Sequence, residues 1–181
     1  MIVLDQIAQR TGIRLEVLSN SEQRFLDYKS IASRGESFRR FIEEKTAILD
    51  IGGGSIQLSL FDNDTLVSTQ NIRLGVLRIQ DYLSRFDARA GRREGIIDEM
   101  VLAQLENYKK LYLKDREIRN LIIVDDYISP WAVKTMGRDN VAAVLKEDEF
   151  EKLMEKLRTR SAAQISDSMG IPEEKVPLVF I

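Results

Sequence analysis

The clearest pattern of apolar and polar residues lies just before the middle of the chain. Residues 46–51 form a mostly apolar run, which is typical of a buried strand. Residues 55–61 alternate strictly between apolar and polar, and residues 65–74 are rich in residues that favour strands. Three consecutive glycines, at 52–54, separate the first two segments. We therefore predict an antiparallel meander of three strands over residues 46–74.

The segment before this meander predicts a helix and one more strand. Residues 2–10 repeat apolar positions at roughly helical spacing, and Gly12 follows where glycine commonly ends a helix. Residues 13–18 alternate strictly between apolar and polar, so we predict a half-buried strand there. Residues 19–22 then supply side-chain oxygens that can cap a following helix.

After Gly75 the spacing of apolar residues changes to the helical period, which predicts two helices, the second ending near Leu113. A short continuous apolar run then predicts a parallel strand at 120–124, which enters the sheet after a helical crossover. More helices are predicted beyond Pro130, and residues 178–181 predict a last strand. The pattern as a whole indicates an α/β fold in which helices pack against a mixed sheet.

The composition limits the chemistry that is available to the chain. It has no cysteine and no histidine, which excludes disulfides, zinc sites built from these residues, and mechanisms that use imidazole or thiolate. Catalysis must therefore use carboxylates, amides, hydroxyls, backbone groups or a bound cation. The formal net charge of −2 provides no overall field to attract nucleic acid, so we expect no nucleic-acid partner.

Hydropathy also excludes some locations. No apolar run approaches the roughly 20 residues that a membrane span requires, so we expect no membrane partner. The N-terminus shows no basic region followed by an apolar stretch, which is the pattern of a secretory signal. We therefore expect a cytoplasmic protein.

The strongest chemical signal is the glycine turn together with the residues on either side of it. Glycine has no Cβ, so a polyanion can approach the backbone closely and accept several N–H hydrogen bonds. Asp50, just before the turn, suits Mg²⁺, which needs only one or two carboxylates where phosphates share it. Ser55 can add a hydroxyl hydrogen bond to the same phosphate. The residues alone leave open that three glycines only make a tight hairpin.

Three segments carry a resemblance to a known family. The sequence Asp-Ile-Gly-Gly-Gly-Ser at 50–55 resembles the second phosphate-binding loop of the exopolyphosphatase and guanosine pentaphosphate phosphatase family, within the wider group of actin, hexokinase and Hsp70-like folds. Residues 18–24 resemble the family's strand running into a Ser-Gly-x-x-Glu-Ala type helix start. Residues 72–75 resemble the strand-to-glycine turn that follows. The resemblance covers residues 2–90 in detail and the rest by general architecture.

The resemblance implies an actin-like, ribonuclease H-like lobe. Residues 1–18 would be the tail of a preceding N-terminal lobe of the same chain, and residues 19–181 the second, phosphate-binding lobe. Such proteins hydrolyse a terminal phosphoanhydride of polyphosphate or guanosine pentaphosphate, using Mg²⁺ and an acidic residue that activates water. By implication, Asp50 holds the metal. The phosphate would be bound by Gly52, Gly53, Gly54 and Ser55, and a homodimer is left open.

The sequence also departs from the family at the positions that matter for hydrolysis. The family's catalytic glutamate falls on Gln23, next to Glu22, and an amide can orient water but cannot take its proton. A second glutamate falls on Gln57, and the glycine turn expected after the strand at 120–124 is replaced by Asp125-Asp126. That acidic pair can be a cation site or a solvated turn.

Gln23 and Glu22 are nevertheless the candidate catalytic residues, because glutamine can still position water in phosphoryl transfer. The alternative function is a non-catalytic module that binds polyphosphate or a nucleotide and keeps the glycine loop. A sugar or acetate kinase-like domain is a third reading, which the missing second glycine turn weakens.

Overall fold

The computed structural model of the chain divides into two compact units, Met1–Phe41 and Ile42–Ile181. The structure describes residues 2–19, 22–23, 26, 28–30, 33, 36–85, 90–114, 116–135 and 144–180, with the backbone alone at 36–39 and 90–94.

The first unit begins with helix α1, Ile2–Thr11, as the apolar spacing predicts. The helix ends at Gly12, which has a φ of 73° and donates its N–H to the carbonyl oxygen of Ala8 at 2.9 Å. This is the left-handed conformation that glycine adopts most readily after a helix.

The strand predicted at residues 13–18 is wrong. These residues have no regular secondary structure, and the side chains of Ile13 and Val17 are 59% and 77% exposed. A strand is stable only where a neighbouring strand accepts its backbone hydrogen bonds. The described part of the unit Met1–Phe41 contains no other strand, so the alternating pattern has nothing to pair with.

The second unit contains the predicted mixed sheet. Its described strands are β1 Thr46–Ile51, β2 Ile56–Asp62, β3 Thr65–Ile72 and β4 Asn120–Val124. The strand order is β3-β2-β1-β4, in which the first three strands form an antiparallel meander and β4 pairs with β1 in parallel. The meander and the parallel strand at 120–124 are thereby confirmed.

The turn between β2 and β3 uses residues that tolerate a left-handed backbone. Asn63 and Asp64 have φ values of 49° and 59°. Two consecutive positive φ values define the type I′ turn, whose twist matches that of the flanking strands, and asparagine and aspartate are among the residues that favour it.

Helices account for most of the remaining described chain, as the helical spacing predicts. They are α2 Glu36–Glu43, α3 Val76–Ser84, α4 Ala90–Tyr108, α5 Ile128–Thr135, α6 Glu147–Arg158, α7 Ala162–Met169 and α8 Val176–Val179. A π-helical turn, Lys109–Leu113, continues α4 to the predicted end point, and a 3₁₀ turn, Glu173–Lys175, precedes α8. Over the described residues, no helix is long and apolar enough to cross a membrane.

Helices α3 and α4 pack together beside the sheet. Ile79 and Leu83 of α3 and Ile97 of α4 form one buried cluster. The hydroxyl groups of Tyr108 in α4 and Ser68 in β3 are 2.8 Å apart and hydrogen-bonded. Ser68 lies opposite Leu60, so α4 lies over the sheet face that carries Leu60.

The strand predicted at residues 178–181 is also wrong, because residues 176–179 form helix α8 and residue 181 lies outside the described residues. Val176 and Val179 are buried in a cluster with Trp131 and Leu157. Pro177 lies in the first turn of α8, where proline is tolerated because that position needs no N–H. A short apolar run does not distinguish a strand from a buried helical turn.

Candidate functional site

The glycine turn joins β1 to β2 as a tight hairpin. Ile51 and Ile56 are the last paired residues, and the N–H of Gly52 donates to the carbonyl oxygen of Ser55 at 3.0 Å. Among the described glycines only Gly12 and Gly170 have a positive φ. The handedness of the backbone therefore does not require glycine anywhere in this turn.

The carbonyl oxygens of the turn point at the first turn of α3. The oxygen of Gly52 accepts from the N–H of Val76 at 3.1 Å, and that of Gly53 accepts from Leu77 at 2.9 Å. The oxygen of Gly54 accepts from Nε of Arg78 at 3.0 Å. These bonds use backbone donors at the helix N-terminus that would otherwise attract an anion, so α3 itself offers no site for one.

The N–H groups that follow these carbonyls point the other way. No peptide bond of the described residues is cis, and in a planar trans peptide the C=O and the next N–H are directed oppositely. The N–H groups of Gly53 and Gly54 are therefore directed away from α3, whereas the nitrogen of Ser55 lies against Gly75. None of the three donates to any other described residue. Successive unpartnered backbone N–H groups form the kind of concavity that binds anions.

The space around each glycine shows what the chain itself requires. A Cβ on Gly52 would lie 3.3 Å from the carbonyl oxygen of Ser55, and one on Gly53 would lie 3.0 Å from Cδ1 of Leu77. A Cβ on Gly54 would meet no atom of the described residues within 4 Å. Neither packing nor backbone handedness therefore explains a glycine at position 54.

Gly75, at the start of α3, is packed against the turn. A Cβ on Gly75 would lie 2.2 Å from the nitrogen of Ser55 and 2.4 Å from the carbonyl carbon and oxygen of Gly53. These are backbone atoms, which cannot move away as the end of a side chain can. Residues 72–75 resemble the family's strand-to-glycine turn, and the structure gives a physical reason for the glycine. Only glycine lets helix α3 approach the turn at 52–55 so closely.

A row of polar residues lies beside the turn on one face of the sheet. Asp50 of β1 is opposite Gln57 of β2, and Gln57 is opposite Asn71 of β3. Directly opposed residues share a face, with Cβ atoms about 4.5–5.5 Å apart. Nδ2 of Asn71 donates to Oγ of Ser55 at 3.1 Å, which connects the row to the turn. Sequence reasoning missed Asn71, although the register of a two-hairpin meander would have placed it opposite Gln57.

This row suits a hard cation that arrives with its own oxygen ligands. Asp50 supplies a carboxylate, and the neighbouring amide of Gln57 supplies a neutral oxygen. In the described part of the chain, no group of three or more Asp, Glu, His or Cys residues could hold a metal ion. Mg²⁺ commonly uses one or two carboxylates together with substrate phosphates and water, so such a cage is not needed.

Glu22 belongs to the first unit and caps a helix start. Its Oε2 accepts hydrogen bonds from the backbone N–H and the hydroxyl of Ser19, both at 2.8 Å, and its own N–H donates to Oγ of Ser19 at 3.3 Å. This is a capping box, and it confirms the predicted cap at 19–22. Gln23 follows in the same helical segment and is exposed. The catalytic roles of Glu22 and Gln23 stay predictions.

The capping box makes the helix start pH-dependent. The backbone N–H of Ser19, and then its hydroxyl, lower the pKa of Glu22 below 4.5. A carboxyl whose pKa is lowered on folding stabilises the folded state above its unfolded pKa. That contribution is lost as the pH falls through the folded pKa. We expect an NMR titration of Ser19→Ala to raise the Glu22 pKa only part of the way towards its ordinary value, because the hydroxyl hydrogen bond is lost while the backbone N–H at position 19 remains. An unchanged pKa would contradict the role of the hydroxyl in this cap.

The acidic pair after β4 does not take the place of a second glycine turn. Oδ1 of Asp125 accepts from the N–H of Tyr127 at 2.8 Å, and Oδ2 accepts from that of Ser129 at 3.0 Å. The carboxylate of Asp125 thus caps α5 and occupies the position that an external anion would take at this helix N-terminus. The turn after β4 therefore offers no phosphate site of its own.

Solved structures share this fold. The chain matches the crystal structure of an exopolyphosphatase-like protein with a TM-score of 0.71 and 16% identity, over 98% of this chain and 56% of that chain. It matches the type II variant of the Ppx/GppA phosphatase of Aquifex aeolicus with a TM-score of 0.64 and 14% identity, over 98% and 58% of the two chains. It matches an exopolyphosphatase from Cytophaga hutchinsonii with a TM-score of 0.64 and 16% identity, over 99% of this chain and 58% of that chain.

The chain therefore has the fold of the Ppx/GppA exopolyphosphatase structures, the α/β fold with a mixed sheet that the sequence predicts. It spans less than three fifths of the length of the structures it matches. No family model matches the chain, and no curated protein matches it. At these levels of identity the likeness concerns the fold alone.

Proposed function

We propose that this chain is the phosphate-binding lobe of a hydrolase that releases terminal phosphate from inorganic polyphosphate or guanosine pentaphosphate. The proposal combines the shared fold with the chemistry of the glycine turn, because fold alone does not determine function. The remaining part of the active site would come from an N-terminal lobe of the same protein. An isolated lobe is expected to bind phosphate without turning it over.

The observation that carries the proposal is the set of N–H groups at Gly53, Gly54 and Ser55. They are consecutive and have no acceptor among the described residues, and those of Gly53 and Gly54 are directed away from α3. At position 54 the packing of the described chain does not require glycine. A ligand that approaches the backbone would require it, because a side chain there would obstruct the approach. Gly52, whose N–H is used within the hairpin, would contribute by keeping the turn compact.

Magnesium completes the proposed site. Asp50 would hold the cation, with the side-chain oxygen of Gln57 beside it. When bound, Mg²⁺ neutralises negative charge on the phosphate oxygens. Because this side of the turn carries one aspartate where the family pattern has a carboxylate pair, the phosphate chain itself is expected to supply much of the affinity for the metal.

A binding module without turnover is the second candidate, and the capping box of Glu22 favours it. The carboxylate of Glu22 is held by Ser19, and its lowered pKa makes it a weak base. The two positions where the family pattern has glutamate carry Gln23 and Gln57 instead. Neither amide can accept a proton from water.

The test uses the protein with Mg²⁺ and a matched pair of glycine variants. We expect wild-type protein to bind inorganic tripolyphosphate, and Gly54→Val to weaken that binding about 10- to 100-fold, since a lost hydrogen bond to a charged group costs about 1.5–3 kcal/mol. The melting temperature should be retained, because the new Cβ would meet no atom of the described residues within 4 Å. Calorimetric titration measures the affinity, and phosphate release from polyphosphate and from guanosine pentaphosphate measures turnover.

Gly95→Val is the control, since a Cβ at Gly95 also meets no described atom within 4 Å and the residue lies in α4. It should bind tripolyphosphate as the wild type does. Gly53→Val is a poorer test, because its side chain would also collide with Leu77. Equal affinities of wild type and Gly54→Val would show that the turn is only a hairpin. Binding without phosphate release in the complete protein would favour the binding module.

A further inference from the structure

We propose that Asn71 is a positioning residue, which fixes the direction of the Ser55 hydroxyl so that its proton is donated to the bound phosphate. This inference rests on the proposed function and assigns a role to a residue that the glycine motif does not include. Asn71 would touch Ser55 rather than the ligand.

The direction of the hydrogen bond is the first step. The Nδ2 group of an asparagine can only donate, so at 3.1 Å the Oγ of Ser55 must accept. A hydroxyl that accepts one hydrogen bond keeps its single proton for another partner. The structure gives the Ser55 hydroxyl no other partner among the described residues. Its proton is therefore available to a ligand at the turn.

The position of Asn71 is fixed by the sheet. It lies opposite Gln57, and one row further along the same face the hydroxyls of Ser59 and Thr69 are hydrogen-bonded at 3.0 Å. Ser59 is 1% exposed, so this second row anchors β3 firmly to β2. A side chain on a well-paired strand holds its partner more precisely than one on a loop does.

The result is a turn lined by donors alone. The N–H groups of Gly53, Gly54 and Ser55 and the hydroxyl of Ser55 all present hydrogen atoms, and the carbonyls of residues 52–54 are used by α3. Such a site favours an oxyanion with several free acceptor oxygens, such as the end of a phosphate chain. It disfavours a ligand that would have to donate a hydrogen bond to the turn.

A double-mutant cycle tests whether Asn71 acts through Ser55. We expect Ser55→Ala to weaken tripolyphosphate binding about tenfold and Asn71→Ala about three- to tenfold, consistent with hydrogen bonds to a charged ligand. In the Ser55→Ala background, Asn71→Ala should have no further effect. Asn71→Asp should weaken binding more than Asn71→Ala, because its carboxylate would accept the Ser55 proton and repel the phosphate.

Gln70→Ala is the control, since Gln70 is the neighbour of Asn71 on the opposite face of β3, opposite Leu58. It should leave the affinity for tripolyphosphate unchanged, and the melting temperature of every variant checks that the fold is retained. An equal loss from Asn71→Ala in both backgrounds would overturn the inference, as would no loss in either. A wild-type protein that does not bind tripolyphosphate, or a Gly54→Val variant that binds it normally, would instead overturn the proposed function.

Discussion

Replacing Gly75 by alanine is expected to displace the glycine turn and to abolish phosphate binding. The new Cβ would lie 2.2 Å from the nitrogen of Ser55 and 2.4 Å from the carbonyl oxygen of Gly53, so backbone must move. Inserting a group into a filled site costs about 1–3 kcal/mol, and a clash with backbone atoms of the turn favours the upper end of that range. The same shift would break the hydrogen bonds between the turn and the first residues of α3.

Chemical denaturation and tripolyphosphate titration measure these two effects separately. Gly54→Ala is the matched control, because its Cβ meets no described atom within 4 Å. Gly54→Ala should keep the stability of the wild type, whereas Gly75→Ala should lose stability and binding together. A Gly75→Ala protein with wild-type stability and affinity would show that the turn and α3 can separate without cost. It would refute the prediction that phosphate binding depends on the close packing of α3 against the turn.

The meander could be predicted from the sequence because each of its signals is local. Alternation at 55–61 and the turns on either side identify strands that pair with their neighbours along the chain. The same alternation at 13–18 fails, because whether a strand forms there depends on a partner that the local pattern does not contain. Residues 176–179 show the converse, since burial against Trp131 and Leu157 selects a helical turn for an apolar run.

The candidate site was only partly predictable for the same reason. The glycine triplet and Asp50 are contiguous in the sequence, and their chemistry can be read directly. Asn71 and Gly75 follow the turn by about twenty residues and reach it only through the pairing of β2 with β3 and the docking of α3. Roles of this kind depend on tertiary distances, and the residue types alone do not reveal them.

The departures from the family pattern concern charge more than shape. The turn, its N–H groups and the aspartate before it are present, whereas the position opposite Asp50 carries Gln57. Glutamine and glutamate are nearly isosteric, so the fold accepts either, but only glutamate would add a second charge to a cation site. Substitution at this position therefore tests the metal separately from the phosphate turn.

Gln57→Glu is expected to raise the affinity for Mg²⁺ measured without phosphate by about tenfold or more. Directly opposed residues have Cβ atoms about 4.5–5.5 Å apart, so the new carboxylate would face Asp50 closely enough for one cation to contact both. Without metal, two neighbouring carboxylates repel each other, which should lower the melting temperature. Adding Mg²⁺ should then raise it by more than in the wild type, because a ligand that binds only the folded state stabilises it.

Gln70→Glu is the matched control for this charge change, because Gln70 lies on the opposite face of β3 and cannot share a cation with Asp50. Its melting temperature should respond to Mg²⁺ as the wild type does. In the Gln57→Glu background, Asp50→Asn should remove the gain in Mg²⁺ affinity, since a cation held by both groups needs both charges. If Gln57→Glu binds Mg²⁺ no better than the wild type, or if Asp50→Asn leaves its gain intact, Asp50 is not the metal ligand. The cation would then have to be held by the phosphate chain alone.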